Sequence, residues 1–516
     1  MADDSSQPPD LTQGVEPARI PDGGILAGKV AKDDVLLFRS GDEICAVAAT
    51  CTHQGGPLAE GLVDGETVRC PWHHACFSLR SGEALRAPAF APLDRWRVEH
   101  RDGKAVVTAK LEPRPKRYRP SPDAEPIVIV GGGAAAFAAA DGLLRRGCVS
   151  PVTMVSADTE PPYDRSTLTK EHLDGSTPED KLPLAPSLAE RGVKLELEAV
   201  VEAIEPEARR VRLKGGRTLA YGKLLLATGA EPRRLDLPGA EPPHVRLLRT
   251  LDDCRALIER LDGKPRVVVI GGSFIGMEAA ASLVARELEV HVVTPDREPM
   301  ARQLGPELSR LIVDTHRKNG TKLHLERKPA RIGADAVTLD DGTRLPADLV
   351  LVGIGVTPRT GLAEKAGLAV DNGVLVDGCL RTSRADIWAA GDIARWADPH
   401  SGRRIRVEHW VVAQRQGQHA AAAMLGNEPP FDDVPFFWTR HFDLIVNYVG
   451  HAERWDELTV EGDLAEGDAL VRFRAAGRDL AVATVGRDLE SLKEELAIER
   501  RLRQKRGEPT IEQPAR

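Results

Sequence analysis

Residues 126–140 read PIVIVGGGAAAFAAA, and residues 266–280 read RVVVIGGSFIGMEAA. Each is a short apolar run followed at once by a glycine-rich turn and then a helix-forming run. In the first, the turn is Gly131-x-Gly133-x-x-Ala136, the Ala-rich run extends to Arg146, Gly147 is placed as a C-cap, and VTMV supplies the next strand. This predicts a βαβ unit whose helix start presents backbone N–H groups to a pyrophosphate. The second turn, Gly271-x-Ser273-x-x-Gly276, begins 140 residues after the first, lacks the middle glycine, and leads through a helix to about Arg286 and on to EVHVV. Either motif alone is a weak signal, and the second alone could be no more than a tight strand-to-helix turn. Together they predict two nucleotide-binding lobes.

The chain has 516 residues, which at about 150 residues per domain predicts three or four domains. Hydrophobic residues at 42% and charged residues at 29% supply several cores and argue against wholesale disorder. Lys and Arg number 70 against 78 Asp and Glu, a net charge of −8, so a general polyanion binder is excluded and nucleic acid is not an expected partner. The opening MADDSSQPPD carries acid and proline where an export signal is basic and then apolar. The uncharged stretch 126–140 falls short of the ~18 residues of a membrane helix. A soluble, cytoplasmic protein without a membrane partner is expected. Residues 1–15 read as a disordered tail. Residues 16–111 alternate in short runs (VLLFRS, AVVTAKL) between SGDE, VDGE and RDGK turns, the pattern of a small antiparallel β-domain. Residues 112–125, rich in proline and charge, read as a linker. In residues 426–516, LIVNYVG, ELTVEG, ALVRFRA and LAVATVG predict antiparallel strands, followed by a charged amphipathic helix from about Leu489.

Cysteine is the next signal. Four of the seven Cys lie in the first 76 residues, and two carry His at short offsets: Cys51-x-His53, then sixteen residues, then Cys70-x-x-His73. An odd, clustered set points to metal or redox chemistry rather than a disulfide framework. One thiolate and one imidazole per loop is the donor set of a [2Fe–2S] cluster with two Cys on one iron and two His on the other. A Cys₂His₂ zinc site uses the same residue types, although these offsets are not the usual finger spacing.

CTHQGGPL (residues 51–58) and CPWHHACF (residues 70–77) resemble the Rieske family, and the resemblance spans most of residues 20–110. It implies Cys51, His53, Cys70 and His73 as cluster ligands, with the two imidazoles at an exposed edge. Respiratory-type members carry an extra Cys in each loop, where this chain has Gly56 and Trp72, and hydroxyls where Ala75 and Phe77 stand. Fewer hydrogen bonds to the sulfurs place the potential toward the low end of the Rieske range, as in a ferredoxin. Cys76 reads as a buried thiol and His74 as an exposed imidazole. Cys45, Cys148, Cys254 and Cys379 are isolated and read as structural.

Over residues 126–425 a second resemblance appears, to the pyridine-nucleotide-dependent flavoprotein reductases. It is carried by PPYDRSTLTK (161–170), LLLATGAEPR (224–233), LVGIGVTPR (351–359) and TSRADIWAAGD (382–392). It implies an FAD-binding lobe from residues 126–244 and 371–425 and an inserted NAD(P)H-binding lobe from residues 245–370. Asp392 then holds the ribityl chain, Arg165 and Lys170 are flavin-side cations, and Glu278 pairs with Lys170 near the nicotinamide. The implied cofactor-binding set is Gly131, Gly133, Ala136, Asp158, Arg165, Lys170, Val201, Ala227, Gly271, Ser273, Gly276, Glu278, Gly355, Asp392 and Trp410, with Lys170 and Glu278 catalytic. RVEHW (406–410) and FFW (436–438) resemble the aromatic segments beside the isoalloxazine. The acid usual on the adenine ribose is replaced around Ser156 and Ala157, with Asp158 next to them. After VHVV stand Thr294, Pro295, Asp296 and Arg297, with no basic cluster for a 2′-phosphate, so NADH is favoured.

No reactive Cys lies between Tyr163 and Lys170, and Cys254 has no CxxC partner, which disfavours disulfide-reductase and peroxidase chemistry. No 2-His-1-carboxylate arrangement appears, which disfavours an oxygenase. The expected fold is multidomain: a small all-β Rieske domain, two α/β Rossmann-like nucleotide-binding domains for FAD and NAD(P), and a C-terminal α+β domain. The chain looks like the Rieske-bearing group of apoptosis-inducing-factor-like and oxygenase-coupled ferredoxin reductases. That resemblance implies hydride transfer from NAD(P)H to FAD, then single electrons to the cluster and to an external acceptor protein such as an oxygenase component. The NAD(P)H-oxidising part of a nitrite reductase system and a redox-responsive scaffold are the alternatives, and the chain is expected as monomer or homodimer.

Overall fold

A continuous apolar strand is buried on both faces, whereas an alternating one divides its side chains between two surroundings. Both kinds occur here. The computed structural model describes residues 8–112, 118–241, 243–263, 265–427 and 430–507; the central part of the expected linker, residues 113–117, lies outside them. The described chain divides into two compact units, one within residues 1–119, 143–147 and 488–516, the other within 120–142 and 148–487.

The first unit is built on a five-stranded antiparallel sheet in the order Ile25–Val30, Asp33–Ser40, Glu43–Ala48, Arg95–Arg101, Lys104–Leu111. Alternation along Asp33–Ser40 divides its side chains: Leu36 and Phe38 pack with Val68 and Phe77, while Val35 and Leu37 pack with Ile20, Trp96 and Val107. A four-stranded antiparallel sheet, Leu62–Asp64, Thr67–Arg69, Cys76–Ser78 and Ala84–Arg86, carries the second Cys/His loop. Two expectations are corrected here. Residues 11–15 are not a tail: Asp10 caps a short 3-10 turn at Leu11–Gln13, and Leu11 and Val15 are buried in the second of these cores. The last helix, Asp488–Lys505, read from sequence as part of the C-terminal domain, belongs to this first unit, with Leu492 and Leu496 packed on Leu62.

In the second unit, two parallel sheets repeat one plan. The first runs Lys194–Glu196, Val152–Val155, Ile127–Val130, Lys223–Leu226, Ile387–Ala389, and the second Val245–Arg246, Leu349–Val352, Val267–Ile270, Val290–Thr294, Lys322–Leu325. Ile127–Val130 and Val267–Ile270 are buried at every position, as central parallel strands require. In each lobe the first turn glycine is sterically obligatory. An added Cβ at Gly131 (φ 134°) would lie 2.1 Å from Ala227 O, and at Gly271 (φ 118°) 2.2 Å from Gly353 O. The four C-terminal runs form strands as expected, joined by Phe436–His441 in one five-stranded antiparallel sheet.

Helix Ala301–Lys318 meets this sheet through two fully buried imidazoles, with His316 Nε2 3.2 Å from His441 Nδ1. Burial lowers both from the ordinary 6.5, His441 to about 3 and His316 well below. The fold thus resists protonating them, so the unfolded chain takes up more protons as pH falls below 6.5. The stability they contribute at neutral pH is therefore lost between 6.5 and about 3. The melting temperature of this unit is expected to fall across that window, less steeply in His316→Leu, as calorimetry against pH would measure.

Candidate functional site

The two Cys/His loops close in the same way. Cys51 N–H donates to Gly56 O and Cys70 N–H to Ala75 O, each at 2.8 Å. Both thiols are buried and share a hydrogen bond, which raises Cys51 and lowers Cys70. Backbone N–H groups of His53 and Gln54 point to the Cys51 sulfur, and those of Trp72 and His73 to the Cys70 sulfur. His53 Nδ1 and His73 Nδ1 approach to 3.2 Å with the rings perpendicular, both half-buried. Gly56 leaves room for this: a Cβ there would stand 2.5 Å from Cys70 Sγ. Among the described residues no three His, Cys, Asp or Glu side chains gather as one ion's ligands. Two sulfurs and two nitrogens in separate pairs suit two irons better than one zinc.

His74 overturns the expectation of an exposed imidazole. It is fully buried, adopts a left-handed backbone (φ 59°), and its Nδ1 bonds Glu495 on the last helix. That carboxylate also holds Arg86 at 2.9 Å, and Glu499 holds Arg86 at 2.6 Å and Arg69 at 2.7 Å. The thiol expectation at Cys76 agrees with its burial. Removing one carboxylate from such a buried cluster costs about 3–5 kcal/mol. Glu495→Ala is therefore expected to lower the melting temperature of the first unit and leave the second unchanged, as two-transition calorimetry would show.

The second unit holds a cavity of about 870 Å³. Gly131, Gly133, Asp158, Arg165, Lys170, Val201, Ala227, Glu278, Asp392 and Trp410 all line it, as do Phe437 and Trp438 of FFW. Lys170 Nζ lies 2.7 Å from Glu278 Oε2, both side chains buried. Thr169 and Thr439 hydroxyls each donate to Glu278 at 2.7 Å, one to each oxygen. Arg165 pairs with Asp158 at 2.6 Å, and Tyr163 OH donates to the same oxygen at 3.0 Å. Asp392 pairs with Arg249 at 2.8 Å.

Ala136, Gly271, Ser273, Gly276 and Gly355 do not reach the cavity wall. Ala136 is buried within its helix, and the Ser273 hydroxyl caps the second lobe's helix, accepting from Gly276 N and donating to Gly353 O at 2.6 Å. Sequence reasoning missed Arg249, Thr169 and Thr439. A signal for the first existed: Arg249 directly precedes the Thr250-x-x-Asp253 capping box that starts the next helix, so its place at a loop end was legible.

The comparisons with known proteins bear on this geometry. Residues 125–417 match the family model of the pyridine nucleotide-disulphide oxidoreductases. The chain belongs to that family. Residues 14–97 of this oxidoreductase match the Rieske [2Fe-2S] domain. Human apoptosis-inducing factor 3 is 31% identical over 92% of this chain and 82% of that protein. The ferredoxin–NAD(+) reductase component of the anthranilate 1,2-dioxygenase system of Burkholderia cepacia is 37% identical over 71% of this chain and 92% of its own length. A covalent putidaredoxin reductase–putidaredoxin complex contains a chain that superposes with a TM-score of 0.71 at 33% identity, covering 73% of this chain and 93% of that one. The protein is thus an NAD(P)H oxidoreductase with FAD and a Rieske [2Fe–2S] cluster as cofactors.

The residues present fit both groups. Backbone donors already point at both sulfurs, and the cavity is lined by the Gly131 turn, the buried Lys170–Glu278 pair and the aromatic Trp410, Phe437 and Trp438. None of the described helices is long and apolar enough to cross a membrane.

Proposed function

We propose that the protein takes hydride from NAD(P)H onto FAD in this cavity and passes single electrons to its Rieske cluster and then to an external acceptor protein, such as an oxygenase component. The observation that carries the reading is the presence in one chain of two complete sites, a Lys170–Glu278 pair in an FAD-sized cavity and a two-thiol, two-imidazole centre. A flavin accepts two electrons together and releases them singly, which is what a one-electron cluster needs upstream of it. Cys51, His53, Cys70 and His73 hold the cluster, with the half-buried imidazoles and the exposed Trp72 as the edge that meets the acceptor. Lys170 and Glu278 face the reacting ends of flavin and nicotinamide, Asp392 the ribityl chain, and the Gly131 turn the pyrophosphate; the second lobe's Gly271 turn serves NAD(P)H. Relatives named as dioxygenase-system reductase components support an oxygenase as the acceptor's owner. None of the seven cysteines forms a disulfide, which supports the reducing cytoplasm as the compartment.

The second reading is a redox-responsive scaffold; a relative matched over 92% of this chain is named apoptosis-inducing factor 3. Steady-state turnover with NADH and a ferredoxin-type acceptor separates the two. Sustained turnover supports the electron-transfer reading, and slow turnover that does not regenerate oxidised flavin supports the scaffold.

A further inference from the structure

The hydrogen bonds of Glu278 continue beyond the cavity. Thr439 Oγ1, which bonds Glu278 Oε1, lies 3.1 Å from His441 Nε2. His441 Nδ1 is 3.2 Å from His316 Nε2, and His316 Nδ1 is 3.1 Å from Thr321 Oγ1. All four residues are buried, and the string ends at the turn after helix Ala301–Lys318, where Thr321 sits between exposed Gly320 and Lys322.

Proton counting sets its direction. A threonine hydroxyl has one proton to donate and a neutral imidazole has one N–H and one acceptor nitrogen. Burial keeps both imidazoles neutral. Glu278, paired with Lys170, only accepts. Thr439 therefore donates to Glu278 and must accept from His441, which carries its proton on Nε2. His441 Nδ1 then accepts from His316 Nε2–H, and His316 Nδ1 accepts from the Thr321 hydroxyl. Each of the four donors points toward Glu278, and no other assignment satisfies the four bonds together.

We propose that Thr439, His441, His316 and Thr321 form a proton path by which Glu278 exchanges a proton with solvent as charge on the flavin changes. The proposal rests on the hydride-transfer reading above. Once the oxidised dinucleotide has left with its positive charge, hydride transfer has added one negative charge to the cavity. A shift of every proton by one place along the string leaves a proton on Glu278 Oε1 and draws one from solvent at Thr321. Both imidazoles pass from the Nε2–H to the Nδ1–H tautomer. With Glu278 neutral, the Lys170 charge is released to face the added negative charge. When the electrons leave, the same shift runs backward: the Glu278 proton returns to solvent at Thr321, the Lys170–Glu278 pair is restored, and the proton that arrived with the hydride leaves for solvent as a second H⁺. The electrons come from NAD(P)H and the proton from water, so the step balances without another reactant. His441 and His316 touch neither cofactor nor substrate and are positioning residues for this proton.

Nitrogen-15 NMR of the oxidised, FAD-loaded protein, labelled at histidine, tests the path without a variant or turnover. Both His316 and His441 are expected as Nε2–H tautomers, switching to Nδ1–H on reduction by NADH or dithionite. Either imidazole as Nδ1–H or as imidazolium in the oxidised state, or no change on reduction, would overturn the proposal. A second measurement uses His316→Gln, whose amide fills the place but cannot exchange donor for acceptor. Proton uptake on flavin reduction, followed with an indicator dye in weak buffer, is expected to lag at least tenfold behind wild type. Uptake at the wild-type rate in the folded, FAD-loaded variant would overturn it. Failure of the hydride-transfer reading shows separately, as a flavin that dithionite reduces and NADH does not.

Discussion

Replacing Cys51 by alanine is expected to remove the [2Fe–2S] cluster and to cut electron delivery to a protein acceptor by about two orders of magnitude or more, while FAD stays bound. Each iron of such a centre has only two protein ligands, so losing one thiolate halves its attachment. Cys51 is also a core residue, packed with Leu36, Val47 and Phe77, so the loop around it loosens as well. The cavity proposed for FAD is lined wholly by residues of the second unit, and none belongs to the Cys/His loops. Ferricyanide, which takes electrons directly from flavin, should therefore still be reduced at near wild-type rate. Iron analysis, flavin absorbance and the two acceptor assays together check the prediction. Loss of FAD along with iron would mean that the two sites are not independently built.

The second large effect is expected at Glu278. In Glu278→Ala, buried Lys170 keeps the Ser166 carbonyl and the Thr169 hydroxyl but loses its charge partner at 2.7 Å. An uncompensated buried charge of this kind costs about 3–5 kcal/mol, so the loop around Lys170 must rearrange or the lysine must shed its proton. Either change moves the cation out of the place proposed for it beside the flavin. Flavin reduction by NADH in stopped flow is expected to slow at least about tenfold, equivalent to ~1.4 kcal/mol in the barrier. Glu278→Gln, which can still accept from Thr439 and pack in the same volume, should lose less. Unchanged reduction in both variants would remove the pair from the chemistry.

How legible these features were differed from residue to residue for physical reasons. The turns at Gly131 and Gly271 were readable because a side chain at either would collide with a neighbouring strand's carbonyl, so the spacing leaves a trace in sequence. The Cys/His loops were readable because ligand chemistry restricts residue type. Lys170 and Glu278, 108 positions apart, were joined by family resemblance and not by spacing, and the structure brings them to 2.7 Å. His74 was misread because an imidazole beside a ligand carries no sequence mark of burial; its partner Glu495 lies 421 residues away. The last helix showed its apolar face but not which partner Leu492 and Leu496 would meet. Leu11 and Val15 were too few apolar residues to stand out from a polar stretch, yet each fills a place in a core. The string from Thr439 to Thr321 had no sequence signature, since it joins a strand, a helix end and a turn from three parts of the second unit.

On the function proposed, electrons from NAD(P)H pass through this flavoprotein to its own Cys51/His53/Cys70/His73 centre. Electron paramagnetic resonance of the purified, anaerobic protein, frozen after addition of NADH and with no other reductant or acceptor, decides whether they do. A Rieske-type signal, silent in the oxidised protein, is expected to appear as the flavin bleaches and to be absent from Cys51→Ala treated in the same way. A bleached flavin beside a cluster that stays oxidised under NADH and is reduced only by dithionite would contradict it.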